Sequence, residues 1–166
     1  MLIRVVFVCR MNMQYIHLYD ARNYTGGAFS ELQVSSKDLQ QAMQTQRVQV
    51  PSGPIKWNTI RFDVSGNRML VEADPGLAIV LDGFEGTVQR IFDCPSGKRQ
   101  TAATFTPDDQ SVLVGMNDGS IQCWNIQTGS VVKSLEGHSG PVGGLACNPK
   151  YAQIASSCTS TCLWLW

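Results

Sequence analysis

The chain has 166 residues, 43% of them apolar, enough for one domain with a real core. Lys plus Arg and Asp plus Glu balance at 13 each, so the formal net charge is zero. Such a chain has no overall field to hold duplex nucleic acid or an anionic membrane, and no apolar run reaches the length of a membrane-spanning helix.

In chain order, the N-terminal run MLIRVVFVCRM is interrupted by Arg4 and is followed by no small-residue cleavage site, so it reads as a buried strand rather than a signal peptide. A hairpin is expected there: strand 2–8, a turn over 10–14, strand 15–19. Residues 21–27 read as a loop and 28–32 as a short outer strand. Residues 34–54 are polar and Gln-rich. A turn or two of helix over 37–45 is conceivable, but no apolar stripe would hold it down, so the stretch is expected to be a mobile polar surface insertion. Strands follow over 55–62, 69–73, 77–81 and 87–92, with the turn Asp74-Pro75-Gly76 in the middle. Residues 93–101 read as a loop.

The clearest unit is 105–125, FTPDDQSVLVGMNDGSIQCWN. Pro107, Asp108 and Asp109 are turn formers. Asn117, Asp118 and Gly119 suit a tight hairpin that needs φ > 0 between two β-rich runs. After the strand 131–135, the turn Gly137-His138 leads into 142–146, and 153–157 and 162–164 follow.

The same grammar recurs. The pairs Tyr19-Asp20, Leu81-Asp82, Trp124-Asn125 and Trp164-Leu165 align at spacings of 62, 43 and 40 residues. The insertion at 34–54 accounts for the long first interval. A period of about 40–45 residues with four strands per copy is the signature of a WD-repeat β-propeller. The expected fold is therefore all-β: a partial WD-repeat propeller of roughly three and a half four-stranded blades, covering 1–33, 55–92, 102–135 and 141–166. Blades bury their faces on neighbours, so open faces are expected, as in the C-terminal half of a longer protein or a truncated gene product.

Several short runs carry a more specific likeness: 103–108 (ATFTPD), 114–119 (VGMNDG), 140–142 (GPV), 147–150 (CNPK), 155–158 (ASSC), 163–165 (LWL) and 17–22 (HLYDAR). On these the chain resembles the C-terminal half of the WD-repeat subunits of COMPASS-type histone H3 lysine-4 methyltransferase complexes. The likeness is best over 55–166. It implies a ring of about seven blades and a nuclear, non-enzymatic scaffold without cofactor. The implied partners are methyltransferase complex subunits, the phosphorylated C-terminal repeats of RNA polymerase II, and 3′-end processing or phosphatase subunits. Direct nucleic-acid or membrane binding is not implied. Another WD-repeat adaptor, such as a ubiquitin-ligase substrate receptor, or a fragment without independent function, is the alternative.

WD blades use a Gly-His before the first strand, an Asp in a tight turn and a Trp-Asp pair, with His and Asp in one buried hydrogen-bond network. Asp82, Asp118, Trp124, His138 and Trp164 are the signature residues expected here. No copy carries the full set: Leu165 replaces the Asp after Trp164, and the turn at 158–161 has no Asp.

Catalytic chemistry is not legible. The six cysteines, Cys9, Cys94, Cys123, Cys147, Cys158 and Cys162, are irregularly spaced and read as free thiols, most of them in strands, with Cys158 and Cys162 flanking a turn. Cys158-x3-Cys162 with His138 has poor zinc spacing. Neither Cys9 with His17 nor Cys147 with His138 has a third orienting group. The glycines form no phosphate loop, and Asp108 and Asp109 read as exposed turn acids. In a propeller, the loops at 9–14, 34–56, 74–76, 93–101, 117–119, 135–140 and 158–161 share one face. Arg10, Lys56, Lys98 and Arg99 fall in or beside them and are the candidate phosphopeptide-binding cations.

Overall fold

A computed structural model describes residues 6–12, 15–49, 51, 53–94 and 98–165, with the backbone alone for 6–12. Strands β1 (Val6–Asn12), β2 (Tyr15–Asp20) and β3 (Ser30–Gln33) form a first sheet. Helix α1 (Ser36–Gln46) follows. β4 (Lys56–Phe62), β5 (Arg68–Asp74), β6 (Leu77–Asp82) and β7 (Val88–Asp93) form the second sheet. β8 (Gln100–Phe105), β9 (Ser111–Met116), β10 (Ile121–Asn125) and β11 (Val131–Leu135) form the third. The fourth has β12 (Gly144–Cys147), β13 (Gln153–Ser157) and β14 (Thr161–Leu165). Every pairing is antiparallel between consecutive strands.

The sheets stack face to face in chain order, and each interface has its own core. Side chains on a strand alternate between faces, and the middle strands divide accordingly. Met69, Val71, Ala73, Leu77, Ile79 and Leu81 pack toward the first sheet. Leu70, Ala78, Val80 and Phe92 pack toward the third, against Ala103, Phe105, Val112 and Val114. From the far side of that third sheet, Leu113, Ile121 and Cys123 meet Val142, Leu145 and Ile154 of the last repeat. Strands covered on both faces become nearly continuous apolar runs: all of Ser111–Met116 is buried. Fully burying one such Leu or Ile contributes about 1.5–3 kcal/mol. β14 has one covered face and alternates instead, with Leu163 and Leu165 81% and 82% exposed.

The register positions expected to match a Trp-Asp pair close equivalent strands: Asp20, Asp82, Asn125 and Leu165 end β2, β6, β10 and β14. Edges shift in places. β8 starts at Gln100 rather than 102, and β12 at Gly144 rather than 142. β1 runs on through Asn12, so Arg10 lies in a strand, paired with Ile16, and not in a turn. Residues 2–5 of the expected first strand, 13–14 of the expected turn, 50 and 52 of the expected insertion, 95–97 of the expected loop and 166 of the expected last blade fall outside the described residues.

The mobile insertion expected at 34–54 is an ordered helix over part of its length. Ser35 caps α1, its Oγ accepting from the Asp38 N–H at 3.1 Å while its hydroxyl donates to the Asp38 carboxylate at 2.7 Å. Leu39 and Met43 lie four apart on one face and are buried. That two-residue stripe, joined by half-buried Ala42, is enough because α1 also bonds the outer edge of β7. The Ile91 N–H donates to Gln46 Oε1 at 2.9 Å, and the Gln49 N–H to Asp93 Oδ2 at 3.3 Å. The helix thereby covers part of an edge that would otherwise offer unpaired backbone groups.

Candidate functional site

At one end of the stack, the β5–β6 turn, the segment before β8, the β9–β10 turn and the segment before β12 abut. Arg99 Nη2 meets Asp74 Oδ1 at 3.0 Å, and Lys98 Nζ meets Asp118 Oδ2 at 2.8 Å. Backbone and side chain also lock Arg99 to Asn117: the Arg99 N–H donates to Asn117 Oδ1 at 2.7 Å, and the Asn117 N–H to the Arg99 carbonyl at 2.8 Å. Gly119 (φ +89°) sits against the His138 carbonyl so closely that a Cβ has no room. The Val142 N–H donates to the Met116 carbonyl at 3.1 Å.

These partners shape the electrostatics. The Lys98 ammonium, with the Ser120 hydroxyl and N–H, holds the Asp118 carboxyl down to about 2. The Arg99 guanidinium beside Asp74 likewise lowers that carboxyl. Exposed Lys56 pairs in register with Asp74. The face thus carries two charged groups, Lys56 and Arg99 about Asp74 and Lys98 on Asp118. Of the four candidate cations, the structure brings these three together; the side chain of Arg10 lies outside the described residues.

Asp82 belongs to the opposite end. It closes β6 and accepts from the Phe84 and Glu85 N–H groups at 2.8 and 2.9 Å, which lowers its pKa. Asp109 is also on that end and is not a merely solvated acid. Its carboxylate accepts from the Val64 and Ser65 N–H groups at 2.7 and 2.8 Å, and its carbonyl accepts from Arg68 Nη1 at 2.8 Å. The second and third sheets are clasped there, and Arg90 adds a second clasp by donating to the Ile126 and Gln127 carbonyls.

The signature residues of the last repeat form one chain of contacts. Trp164 Nε1–H donates to Ser156 Oγ at 2.7 Å, Ser156 Oγ lies 2.6 Å from His138 Nε2, and His138 Nδ1 lies 3.0 Å from Cys158 Sγ. The imidazole and indole rings meet edge-on at 6.2 Å. Gly137 is needed beside them, since a Cβ there would come within 2.7 Å of the indole. The cysteine beside His138 is therefore Cys158, not Cys147, and it sits in a turn, partly exposed, rather than buried in a strand. Sequence reasoning missed Ser156, and it grouped Cys158 with His138 only as a poorly spaced zinc candidate, not as a member of this network. A signal existed: Cys158 stands six residues before Trp164, the offset of Asp118 before Trp124. Cys158 takes the place of the network acid.

In the third sheet the equivalent chain is replaced. Trp124 Nε1 is buried with no hydrogen-bond partner, and its ring packs at 5.5 Å from Phe92. Met116 stands where Ser156 does relative to the Trp, and Cys94 donates to it at 3.6 Å. Burial pushes the Cys94 and Cys147 thiols up to about 11. Among the described residues no group of three His, Cys, Asp or Glu is placed to hold a metal ion, and no helix is long and apolar enough to cross a membrane.

Consecutive antiparallel sheets of three or four strands, stacked face to face with a Trp–Ser–His network in the last of them, define a partial all-β WD40 propeller. The WD domain, G-beta repeat family matches residues 86–125 and 129–166. The chain is 30% identical over 164 residues to WD repeat-containing protein 82 of Drosophila melanogaster, covering 97% of this chain and 47% of that protein. It is 26% identical over 128 residues to the COMPASS component SWD3 of Saccharomyces cerevisiae, covering 69% and 41%. The β-propeller domain of Myceliophteria thermophila Cps50 (Swd1) superposes with a TM-score of 0.72 at 16% identity, over 98% of this chain and 50% of that one. The chain spans about half the length of these relatives.

Proposed function

We propose that this WD-repeat chain is a non-enzymatic scaffold in a nuclear histone H3 lysine-4 methyltransferase assembly. In that role it links the methyltransferase subunits to the phosphorylated C-terminal repeats of RNA polymerase II and to 3′-end processing or phosphatase subunits. The observation that carries the reading is the 30% identity to a WD repeat-containing protein 82 across 97% of the chain; the likeness to a COMPASS component supports it. The phosphopeptide surface would be formed by Lys56, Lys98 and Arg99, with Arg10 as the fourth candidate cation. Lys98 and Arg99 already hold Asp118 and Asp74, so a phosphate group would share or displace those carboxylates.

Affinity purification of the tagged chain from nuclei tests the assembly: methyltransferase or polyadenylation subunits are expected, and cullin-ligase subunits in their place would replace this reading with a substrate receptor. For the surface, charge reversal at Lys98 and Arg99 in a complete propeller is expected to weaken phosphopeptide binding about tenfold or more. Unchanged affinity removes both residues from the site.

A further inference from the structure

The third sheet shows that a blade of this chain closes without a polar network; the last repeat keeps one and ends it on a cysteine. Four groups surround the Cys158 sulfur: His138 Nδ1 at 3.0 Å, the Ser160 N–H at 3.4 Å, the Ser160 hydroxyl at 3.5 Å and the Thr159 hydroxyl at 3.7 Å. That cage suits a thiolate, which only accepts. An acceptor sulfur assigns the proton to His138 Nδ1, which leaves Nε2 to accept from the Ser156 hydroxyl. The chain then runs in one direction, with Trp164 donating to Ser156, Ser156 to His138 and His138 to Cys158. The Ser160 N–H, then the Ser160 and Thr159 hydroxyls, then His138 bring the thiol down to about 6, against the upward shifts of half-buried Cys94 and Cys147 and buried Cys123. A second sulfur is close: Cys162 Sγ lies 3.9 Å from the same His138 Nδ1, and Cys162 is directly paired with Ser156 across the hairpin. Both cysteines are partly exposed.

We propose that Cys158 is a redox-modification site whose substrate is a peroxide, with Cys162 as the resolving thiol. In the first step the Cys158 thiolate attacks one peroxide oxygen. An S–O bond forms, the O–O bond breaks, and hydroxide leaves, so sulfur is oxidised by two electrons and the peroxide is reduced. In the second step the Cys162 sulfur attacks the sulfenic sulfur. The S–S bond forms, the S–O bond breaks, and water leaves with the Cys162 proton. The disulfide takes away the acceptor of the His138 Nδ1 proton. The network that ties the segment before β12 to the last hairpin loses its end, and the charged loop face lies on the other side of that segment, at Gly119. The reading is independent of the proposed assembly.

Hydrogen peroxide applied to the full chain at pH 7, with dimedone trapping and peptide mass mapping, tests it. Cys158 is expected to label about tenfold or more faster than Cys94, Cys123 and Cys147. Without dimedone, a Cys158–Cys162 disulfide about 2 Da lighter is expected, and Cys162→Ser should accumulate the Cys158 sulfenic acid instead. Iodoacetamide alkylation of Cys158 should inflect near pH 6, and the preference should vanish in denaturant. Equal labelling of all thiols, or an inflection near the ordinary cysteine value of about 8.5, overturns the site. A Cys158 sulfenic acid that persists in the unsubstituted chain overturns the role of Cys162.

Discussion

Trp124 and Trp164 occupy the same position on equivalent strands and have opposite polar surroundings. Trp164 donates to Ser156, whereas Trp124 is buried with its N–H unpaired. Ser156→Ala leaves buried His138 Nε2 and the half-buried indole N–H without their partner, and should cost about 1–3 kcal/mol in urea unfolding. Trp124→Phe loses some packing but breaks no hydrogen bond, and should cost less than Trp164→Phe in the same assay. Cys158 adds a pH signature. Its folded pKa, about 6, lies below the ordinary unfolded value, so its thiolate stabilises the fold fully above about pH 8.5 and loses that contribution as pH falls through 6. Stability should therefore rise with pH between these limits, and Cys158→Ser should flatten the rise, as read by thermal unfolding across pH 5.5–9. Asp118 behaves the same way lower down: its pairing with Lys98 persists above about pH 4 and is lost as pH drops toward 2.

At the scale of elements, α1 shows how little apolar surface a docked helix needs when its end also bonds an edge strand. Leu39→Asp should release it. Hydrogen exchange over 36–46 should then lose its protection while β5 and β6, buried on both faces, keep theirs. The clasps between sheets are comparably local. Asp109 has φ +57° and accepts two N–H groups of the neighbouring sheet. Asp109→Ala loses both bonds and meets backbone strain, for an expected loss of about 2–3 kcal/mol; Asn retains the backbone preference and one acceptor, and should recover part of it. Neither feature was legible in the sequence. Two apolar residues in a polar stretch are not a stripe until β7 supplies the other half of the interface, and an Asp in a turn is indistinguishable from a solvated one until its neighbour's turn is placed.

At the scale of the whole molecule, each core among the described residues is shared by sheets that are neighbours in the chain, the arrangement of a repeat protein. The last sheet turns Leu163 and Leu165 outward, 81% and 82% exposed. Contiguous exposed leucines on an edge strand invite association. The chain should therefore self-associate at micromolar concentration in size-exclusion chromatography, and Leu163→Lys with Leu165→Lys should shift it toward monomer without lowering its melting temperature. An unchanged elution profile would show that this face is not the sticky one.

The sequence by itself determined the class of fold and its register. Turn chemistry at Asn117-Asp118-Gly119 and Asp74-Pro75-Gly76, and the repeated strand ends at Asp20, Asp82, Asn125 and Leu165, are local signals that need no partner to be read. The tertiary structure alone decided which of the signature residues act together. Asp82 ends a strand where the Trp-Asp pair falls and Asp118 sits in the tight turn, and the two signature acids lie at opposite ends of the stack with different partners. His138 and Cys158 are 20 residues apart in the chain and 3.0 Å apart in space, because the β13–β14 hairpin folds back against the segment before β12. A thiol becomes an anion site only when several donors converge on it. That convergence is a property of the packed turn and appears in no stretch of sequence read alone.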